Sequence, residues 1–116
     1  MAFDTSLLER ARARQRARLE GERLATLSQL LRLLEEHGAA LGISEAYVFG
    51  SLIRPGRFRD DSDVDVAVPH VEAESFFAAM SILSTTLGRE VDLVDLTTCH
   101  FARQIRERGI RWTRTS

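Results

Sequence analysis

Cysteine is scarce in this chain, and long hydrophobic runs are absent from it. Cys99 is the only cysteine, which excludes an internal disulfide and fits the reducing cytoplasm where we expect the protein to reside. No apolar run approaches the roughly eighteen residues that a membrane-spanning helix needs, so we expect no membrane association. No hydrophobic signal segment is present, and Asp4, Glu9 and Glu20 in the Arg-rich beginning argue against an organelle transit peptide.

Lysine is also absent, and charge is unevenly distributed along the chain. All sixteen basic residues are arginine, and the net charge is −1. Residues 39–98 carry four arginines against ten acids, whereas residues 99–116 carry five arginines against one acid. At 116 residues the chain has room for one hydrophobic core, so we expect one domain without a second substrate-binding domain. Bound divalent cations would stabilise the acidic middle segment.

The first 21 residues form an Arg-rich segment. A helix can begin near Ser6 and continue through five alternating arginines, which are Arg10, Arg12, Arg14, Arg16 and Arg18. On a helix these side chains surround most of the circumference, so the segment is either a solvated extension or an arm that binds an acidic protein or nucleic-acid surface. Because glycine weakens a helix, Gly21 predicts a kink or a break. We therefore divide the chain into a helical extension at 1–21 and a domain at 22–116.

The rest of the chain alternates between helical and strand patterns. Apolar periodicity predicts its elements, which are a helix over 22–37, strands at 46–49, 62–68 and 89–96, and helices at about 72–87 and 99–108. This order predicts an α+β domain with a small mixed sheet, helices packed on one side of the sheet and a long N-terminal helix.

Residues 47–68 contain the strongest functional signal. A short apolar strand ends at Gly50-Ser51, and a basic, turn-forming loop leads to the next strand. In that strand valines alternate with Asp63 and Asp65, so the two carboxylates point to the face opposite the valines. Neighbouring carboxylates resist ionising together unless a cation or a hydrogen-bond donor lies between them. The pattern therefore predicts a metal site.

This arrangement resembles the nucleotidyltransferase superfamily, which includes the palm of DNA polymerase beta. The family motif is Gly-Ser, a spacer and Asp-x-Asp, followed by a third carboxylate on a later strand. The matching positions are Gly50, Ser51, Asp63, Asp65 and Asp92. Eleven residues separate Ser51 from Asp63, one more than is usual, and the turn-forming pair Pro55-Gly56 accommodates the extra residue. The resemblance covers roughly residues 24 to 108.

The resemblance implies roles for the three carboxylates. Asp63 and Asp65 would hold two Mg²⁺ ions, and Asp92 would complete the site of the ion that activates the acceptor hydroxyl. Asp92 would also be the general base. The implied reaction is transfer of a nucleoside monophosphate, with AMP from ATP as the expected case and pyrophosphate as the leaving group.

The resemblance also implies a binding site for the nucleoside triphosphate. Gly50 and Ser51 would position the β- and γ-phosphates at the turn after the first strand. Arg54, on the loop that follows, has two interpretations. It either contacts the triphosphate or, with the other loop arginines, only balances Asp60 and Asp61.

The small domain resembles the minimal nucleotidyltransferases of bacteria and archaea, which are commonly encoded beside a HEPN-domain RNase toxin. This resemblance implies an antitoxin that neutralises the toxin by transferring AMP to one of its tyrosines, by binding, or by both, and the full set of motif carboxylates favours the transfer. Two alternatives stay open: a binding antitoxin that neutralises by contact alone, and a nucleotidyltransferase subunit acting on a small molecule or nucleic acid. The preferred interpretation includes no direct nucleic-acid ligand, and the sequence leaves homo-oligomer formation undecided.

Overall fold

The secondary structure follows the predicted order and adds one strand. The computed structural model describes residues 4–114, so the outermost residues of the two predicted domain ranges, 1–3 and 115–116, lie outside the described residues. The elements are α1 (Ser6–His37), β1 (Glu45–Phe49), a 3-10 turn (Gly50–Ile53), β2 (Val64–Val68), α2 (Ala73–Leu87), β3 (Val91–Asp95), α3 (Ala102–Arg108) and β4 (Ile110–Thr113). Across residues 4–114, none of the helices is both long enough and apolar enough to cross a membrane.

The strands form one mixed sheet in the order β3-β2-β1-β4. β1 is antiparallel to β2 and to β4, whereas β2 and β3 are parallel, as expected for strands joined through a helix. The predicted mixed sheet is therefore confirmed. The sequence pattern does not predict β4, because its four residues become a strand only by pairing with β1. Trp112 of β4 is buried and donates from its indole nitrogen to Glu35 of α1 at 2.8 Å.

Helices cover both faces of the sheet. α1 and α2 pack on one face, as predicted, and bury the main core around Leu30, Leu34, Val66 and Leu83. α3 lies on the opposite face, where a second buried cluster consists of Tyr47, Ala67, Leu96 and Ile105. The expectation of helices on one side thus holds for α1 and α2 and does not extend to α3. The reason is that β1 and β2 carry apolar side chains on both faces, and each face needs a cover.

α1 is one continuous helix from Ser6 to His37, so the predicted break at Gly21 is wrong, and the alternative of a kink there stays a prediction. Residues 7–18 are exposed, and Leu19 is the first buried residue of the described chain. Arg23 is also buried and donates from Nη1 to the carbonyl oxygen of Leu52 in the 3-10 turn, at 3.0 Å. Because α1 is anchored to the body on both sides of Gly21, the helix continues across the glycine.

Replacing Gly21 with alanine should raise the free energy of unfolding by about 0.5–1 kcal/mol, because alanine loses less backbone entropy in a helix. A Cβ at Gly21 would meet no atom within 4 Å, so no clash offsets this gain. Urea unfolding followed by circular dichroism measures the effect. Gly38→Ala is the control: its Cβ would lie 2.9 Å from the Trp112 ring, and we expect destabilisation. A Gly21→Ala variant no more stable than wild type would contradict the prediction.

Candidate active site

Two of the predicted carboxylates, Asp65 and Asp92, lie near one end of the sheet and on one face of it. Asp65 of β2 is in register with Asp92 of the parallel strand β3, so both side chains leave the sheet on the same side. Asp63 stands two residues before Asp65 and influences its ionisation. On the other side of β2, Asp65 is in register with Phe49, the residue before Gly50. The fold therefore gathers the starts of β2 and β3 and the end of β1.

Asp65 has a strongly perturbed ionisation equilibrium. Burial, followed by the negative charges of Asp92 and Asp63, raises the pKa of Asp65 to about 6. Within residues 4–114, no arginine forms an ion pair with any of these three carboxylates. The fold thus holds neighbouring acids together without a protein cation, and a bound cation would relieve their repulsion.

Gly50 makes room for Asp65. Its φ of 77° lies in the left-handed region that glycine adopts without strain. A Cβ at Gly50 would overlap Oδ2 of Asp65 and lie 3.1 Å from its Cγ. Glycine is therefore needed both for the backbone conformation and for the close approach of the carboxylate. The motif by itself predicts only a phosphate-binding role for Gly50, because the contact with Asp65 arises from the pairing of β1 with β2.

The donor chemistry of this site suits Mg²⁺. Carboxylate oxygens are the ligands that this ion prefers, and the register of Asp65 and Asp92 places two of them on neighbouring strands. Among the side chains of residues 4–114, however, no three His, Cys, Asp or Glu groups are arranged so that they could hold one metal ion. The convergence of Asp63, Asp65 and Asp92 on a shared ion therefore stays a prediction.

A cleft of about 640 Å³ opens beside the 3-10 turn. Gly50, Ser51 and Arg54, the predicted nucleotide-binding residues, all line it. Arg57 and Arg108 add two more positive charges, and none of the three arginines pairs with an acid in the described part of the chain. Unpaired guanidinium groups beside an exposed backbone turn are suited to a polyanion such as a triphosphate.

Three further cleft residues come from α3 and the residue before it, namely Phe101, Gln104 and Arg108, and the motif predicts none of them. Ile105 of α3 packs with Tyr47 and Ala67 of the sheet. This packing holds α3 over the sheet face to which Asp65 points, so its residues reach the cleft. The only signal in the sequence is the excess of arginine after residue 98. That excess does not indicate which face of the sheet the helix covers.

Asp60 and Asp95 lie outside the site. Asp60 pairs with Arg18 of α1 at 2.7 Å, and within residues 4–114 it forms no ion pair with a loop arginine. Asp95 lies at the far end of β3 and accepts hydrogen bonds from the hydroxyl and backbone N–H of Thr97, at 2.6 and 2.8 Å. The hydroxyl bond is the main reason that the pKa of Asp95 is lowered.

The raised pKa of Asp65 predicts a pH-dependent loss of stability in metal-free buffer. Between the ordinary value of 3.8 and the folded value of about 6, the native state binds more protons than the unfolded state, so stability falls as pH rises. After allowance for solvent screening, the loss is on the order of 1 kcal/mol. Urea unfolding in a chelator at about pH 4 and pH 7 should show Asp65→Asn gaining stability over wild type as pH rises. A constant difference between the two proteins would contradict this.

A family model described as Polymerase beta, Nucleotidyltransferase matches residues 29–114. The matched region contains all five motif positions and every strand of the sheet, and it begins after the exposed part of α1. Comparison with curated proteins and comparison with solved structures each found no match.

Proposed function

The chain belongs to the polymerase beta nucleotidyltransferase family, and from this we propose that it transfers AMP from ATP to a hydroxyl group of a partner protein. Domains of this family generally use a nucleoside triphosphate and Mg²⁺. The observation that carries the proposal is the register of Asp65 and Asp92 beside the Arg-lined cleft at Gly50-Ser51. A carboxylate pair and a polyanion site on one face are the two parts that phosphoryl-type transfer needs.

The cleft residues would hold the triphosphate. Arg54, Arg57 and Arg108 would form charge-assisted hydrogen bonds with phosphate oxygens, and the Ser51 hydroxyl would donate another. Gly50, which has no side chain, lets the backbone approach the phosphates closely. Held in this way, the α-phosphate would face the carboxylates. Positioning of this kind supplies much of the rate enhancement in phosphoryl-type transfer.

Asp92 is exposed and can be reached by an incoming hydroxyl group. The hydroxyl oxygen would form a bond to the α-phosphorus, its proton would pass to Asp92, and the bond from the α-phosphorus to the α–β bridging oxygen would break. Pyrophosphate then leaves with the electron pair of that bond. Mg²⁺ held by Asp63, Asp65 and Asp92 would supply neutralisation of the charge on the phosphates.

The proposed acceptor is a tyrosine of a HEPN-domain toxin, which would make this protein its antitoxin. The cleft is open and Asp92 lies at the surface, so a side chain of another protein can approach both. The resemblance to minimal nucleotidyltransferases supports the same partner. A cytoplasmic location, expected from the lone Cys99, agrees with an intracellular toxin and stays a prediction.

Incubation with labelled ATP, Mg²⁺ and the product of the neighbouring gene tests the proposal. Mass spectrometry of both proteins should find AMP on a tyrosine of the partner and release of pyrophosphate. Parallel incubations with RNA and with small-molecule extracts test the alternative acceptors. Transfer of AMP to RNA or to a small molecule would show that the proposed acceptor is wrong and that the proposed reaction is right. Absence of nucleotide transfer to every acceptor tested would defeat the proposal.

Neutralisation by contact alone is a second candidate function, and the exposed half of α1 favours it. We name residues 6–17 the arm. Within the described residues, Arg12, Arg14 and Arg16 of the arm form no ion pair, and Leu7 is 72% exposed. A helix with free cations and exposed leucines is suited to an acidic surface with apolar patches. An arm that binds a partner is also compatible with the enzyme, because docking would deliver the acceptor.

Replacing Arg12, Arg14 and Arg16 together with glutamine should slow association with the partner by about tenfold at low salt, with a smaller effect at high salt. Glutamine keeps the helix propensity of arginine, so α1 should persist. Stopped-flow or surface-binding kinetics at two ionic strengths measures the rate. The control is Arg32→Gln, at an exposed arginine in the packed half of α1. An association rate equal to that of wild type would show that the arm is only a solvated extension.

A further inference from the structure

Arg89 holds the loop that precedes β2. Its side chain is 12% exposed, and Nη1 lies 3.3, 3.0 and 3.2 Å from the carbonyl oxygens of Arg59, Asp60 and Ser62. The guanidinium carbon lies 4.4 Å from the centre of the buried Phe58 ring. A planar guanidinium can stack on an aromatic ring while its N–H groups donate within its plane, which a lysine ammonium cannot do.

This contact links two segments that each lead to a predicted metal-binding residue. Residues 59–62 end directly before Asp63, and Arg89 stands three residues before Asp92. Directly after these residues, the Val64 N–H of β2 donates a hydrogen bond to the Glu90 carbonyl oxygen, which precedes β3, at 2.9 Å. Arg89 therefore sets where the chain enters β2 relative to where it enters β3. A long exposed loop would otherwise leave this entry point mobile.

We propose that Arg89 is a positioning residue that fixes Asp63 relative to Asp92, so that the loop delivers its carboxylate to the metal site. The inference rests on the proposed function, because that function assigns Asp63 to the metal site. Arg89 touches neither substrate nor metal in this scheme. It acts through the carbonyl groups of Arg59, Asp60 and Ser62, and its Nη2 also lies 3.4 Å from Glu22 of α1. Outer-shell groups of this kind change metal affinity by orienting the ligands.

The test is the affinity for Mn²⁺, measured by electron paramagnetic resonance on the full chain. Arg89→Lys keeps the charge and loses the planar fork, and it should bind Mn²⁺ about tenfold or more weakly than wild type. Arg103→Lys is the matched control, because the Arg103 side chain is 88% exposed and Glu107 is its only ion-pair partner among residues 4–114. It should bind Mn²⁺ as wild type does.

Transfer assays on the same variants separate this inference from the proposed function. If Arg89 positions Asp63, raising Mg²⁺ should restore the kcat of an Arg89→Lys protein that circular dichroism shows to be fully folded before Mg²⁺ is added. A variant that is partly unfolded without Mg²⁺ would instead owe its rescue to stabilisation of the native state by the bound ion. A wild-type protein that binds Mn²⁺ and transfers nothing would defeat the proposed function, and the Mn²⁺ affinities would still decide the role of Arg89. Equal Mn²⁺ affinity in wild type and Arg89→Lys, or absence of Mn²⁺ binding by wild type, overturns the inference.

A second variant keeps the inference testable if Arg89→Lys does not fold. The Ser62 hydroxyl accepts a hydrogen bond from the Arg59 N–H at 2.8 Å, which closes the same turn from its exposed side. Ser62→Ala leaves Arg89 intact and should weaken Mn²⁺ binding by about fivefold, the equivalent of one neutral hydrogen bond. Unchanged affinity in Ser62→Ala, with Arg89→Lys unfolded, would count against control of Asp63 by this turn.

Discussion

Asp65→Asn should reduce nucleotidyl transfer by about a thousandfold or more. The substitution removes a negative charge that would hold Mg²⁺, and the bound ions would stabilise the transition state by several kcal/mol. Asp63→Asn and Asp92→Asn should have effects of the same order. Asparagine has nearly the same shape as aspartate, so each variant should fold. The measurement is single-turnover transfer of labelled AMP to the partner, with circular dichroism as the check on folding.

Asp95→Asn is the matched control for the three carboxylate variants. Asp95 belongs to the same strand as Asp92 but lies at its other end, where it is bonded to Thr97. Its loss should leave the transfer rate unchanged. Near-wild-type transfer by Asp63→Asn or Asp65→Asn would contradict the assignment of the site. If those variants transfer nothing and still neutralise the partner fully, contact alone is the better account of the function.

Gly50→Ala should abolish transfer and should also lower stability by about 1–2 kcal/mol, since a left-handed backbone disfavours any residue with a Cβ. The loss of activity has a separate cause. The new Cβ would occupy the position of Oδ2 of Asp65, so the carboxylate must turn away from its place beside Asp92. Transfer assays and urea unfolding of the same preparation measure the two effects separately.

Gly42→Ala is the control that separates the destabilisation caused by a left-handed backbone from the overlap of the new Cβ with Asp65. Gly42 has a φ of 76°, almost that of Gly50, and its Cβ would meet only Ser75 at an ordinary distance of 3.9 Å. This variant should lose similar stability and keep full transfer. Equal activities of Gly50→Ala and Gly42→Ala would show that the contact between Gly50 and Asp65 has no role in the reaction.

Local patterns in the sequence determined much of the framework. Strand alternation alone predicts Asp63 and Asp65 on one face and the valines on the other, and the burial of all three valines of β2 confirms the face predicted for them. Pro55-Gly56 forms the predicted turn, with a φ of 81° at Gly56. Gly88 ends α2 in the left-handed conformation, as expected of a helix-stopping glycine. Each of these features depends on residues within a few positions of one another, so a single sequence suffices to predict them.

Helical spacing predicted which residues form the helices better than which side chains they bury. Leu24 of α1 and Phe77 of α2 fit the apolar periodicity of their helices, yet both are exposed. The width of a buried stripe depends on what packs against the helix, and the sequence does not specify the neighbour. The same limit applies to Gly21, where anchoring of α1 by Arg23 outweighs the weak helix propensity of glycine.

Tertiary structure alone decided how the site is assembled. The register of Asp65 with Asp92, the seat of α3 over the cleft, the contact of Gly50 with Asp65 and the position of Arg89 over residues 59–62 all join segments that are distant in the chain. Such contacts depend on strand register and on which sheet face each helix covers, and a shift of one residue in register would turn a side chain to the other face. The sequence by itself predicted which residues would carry the chemistry, because motif and alternation are local. Their arrangement was decided only by the packing of the whole chain.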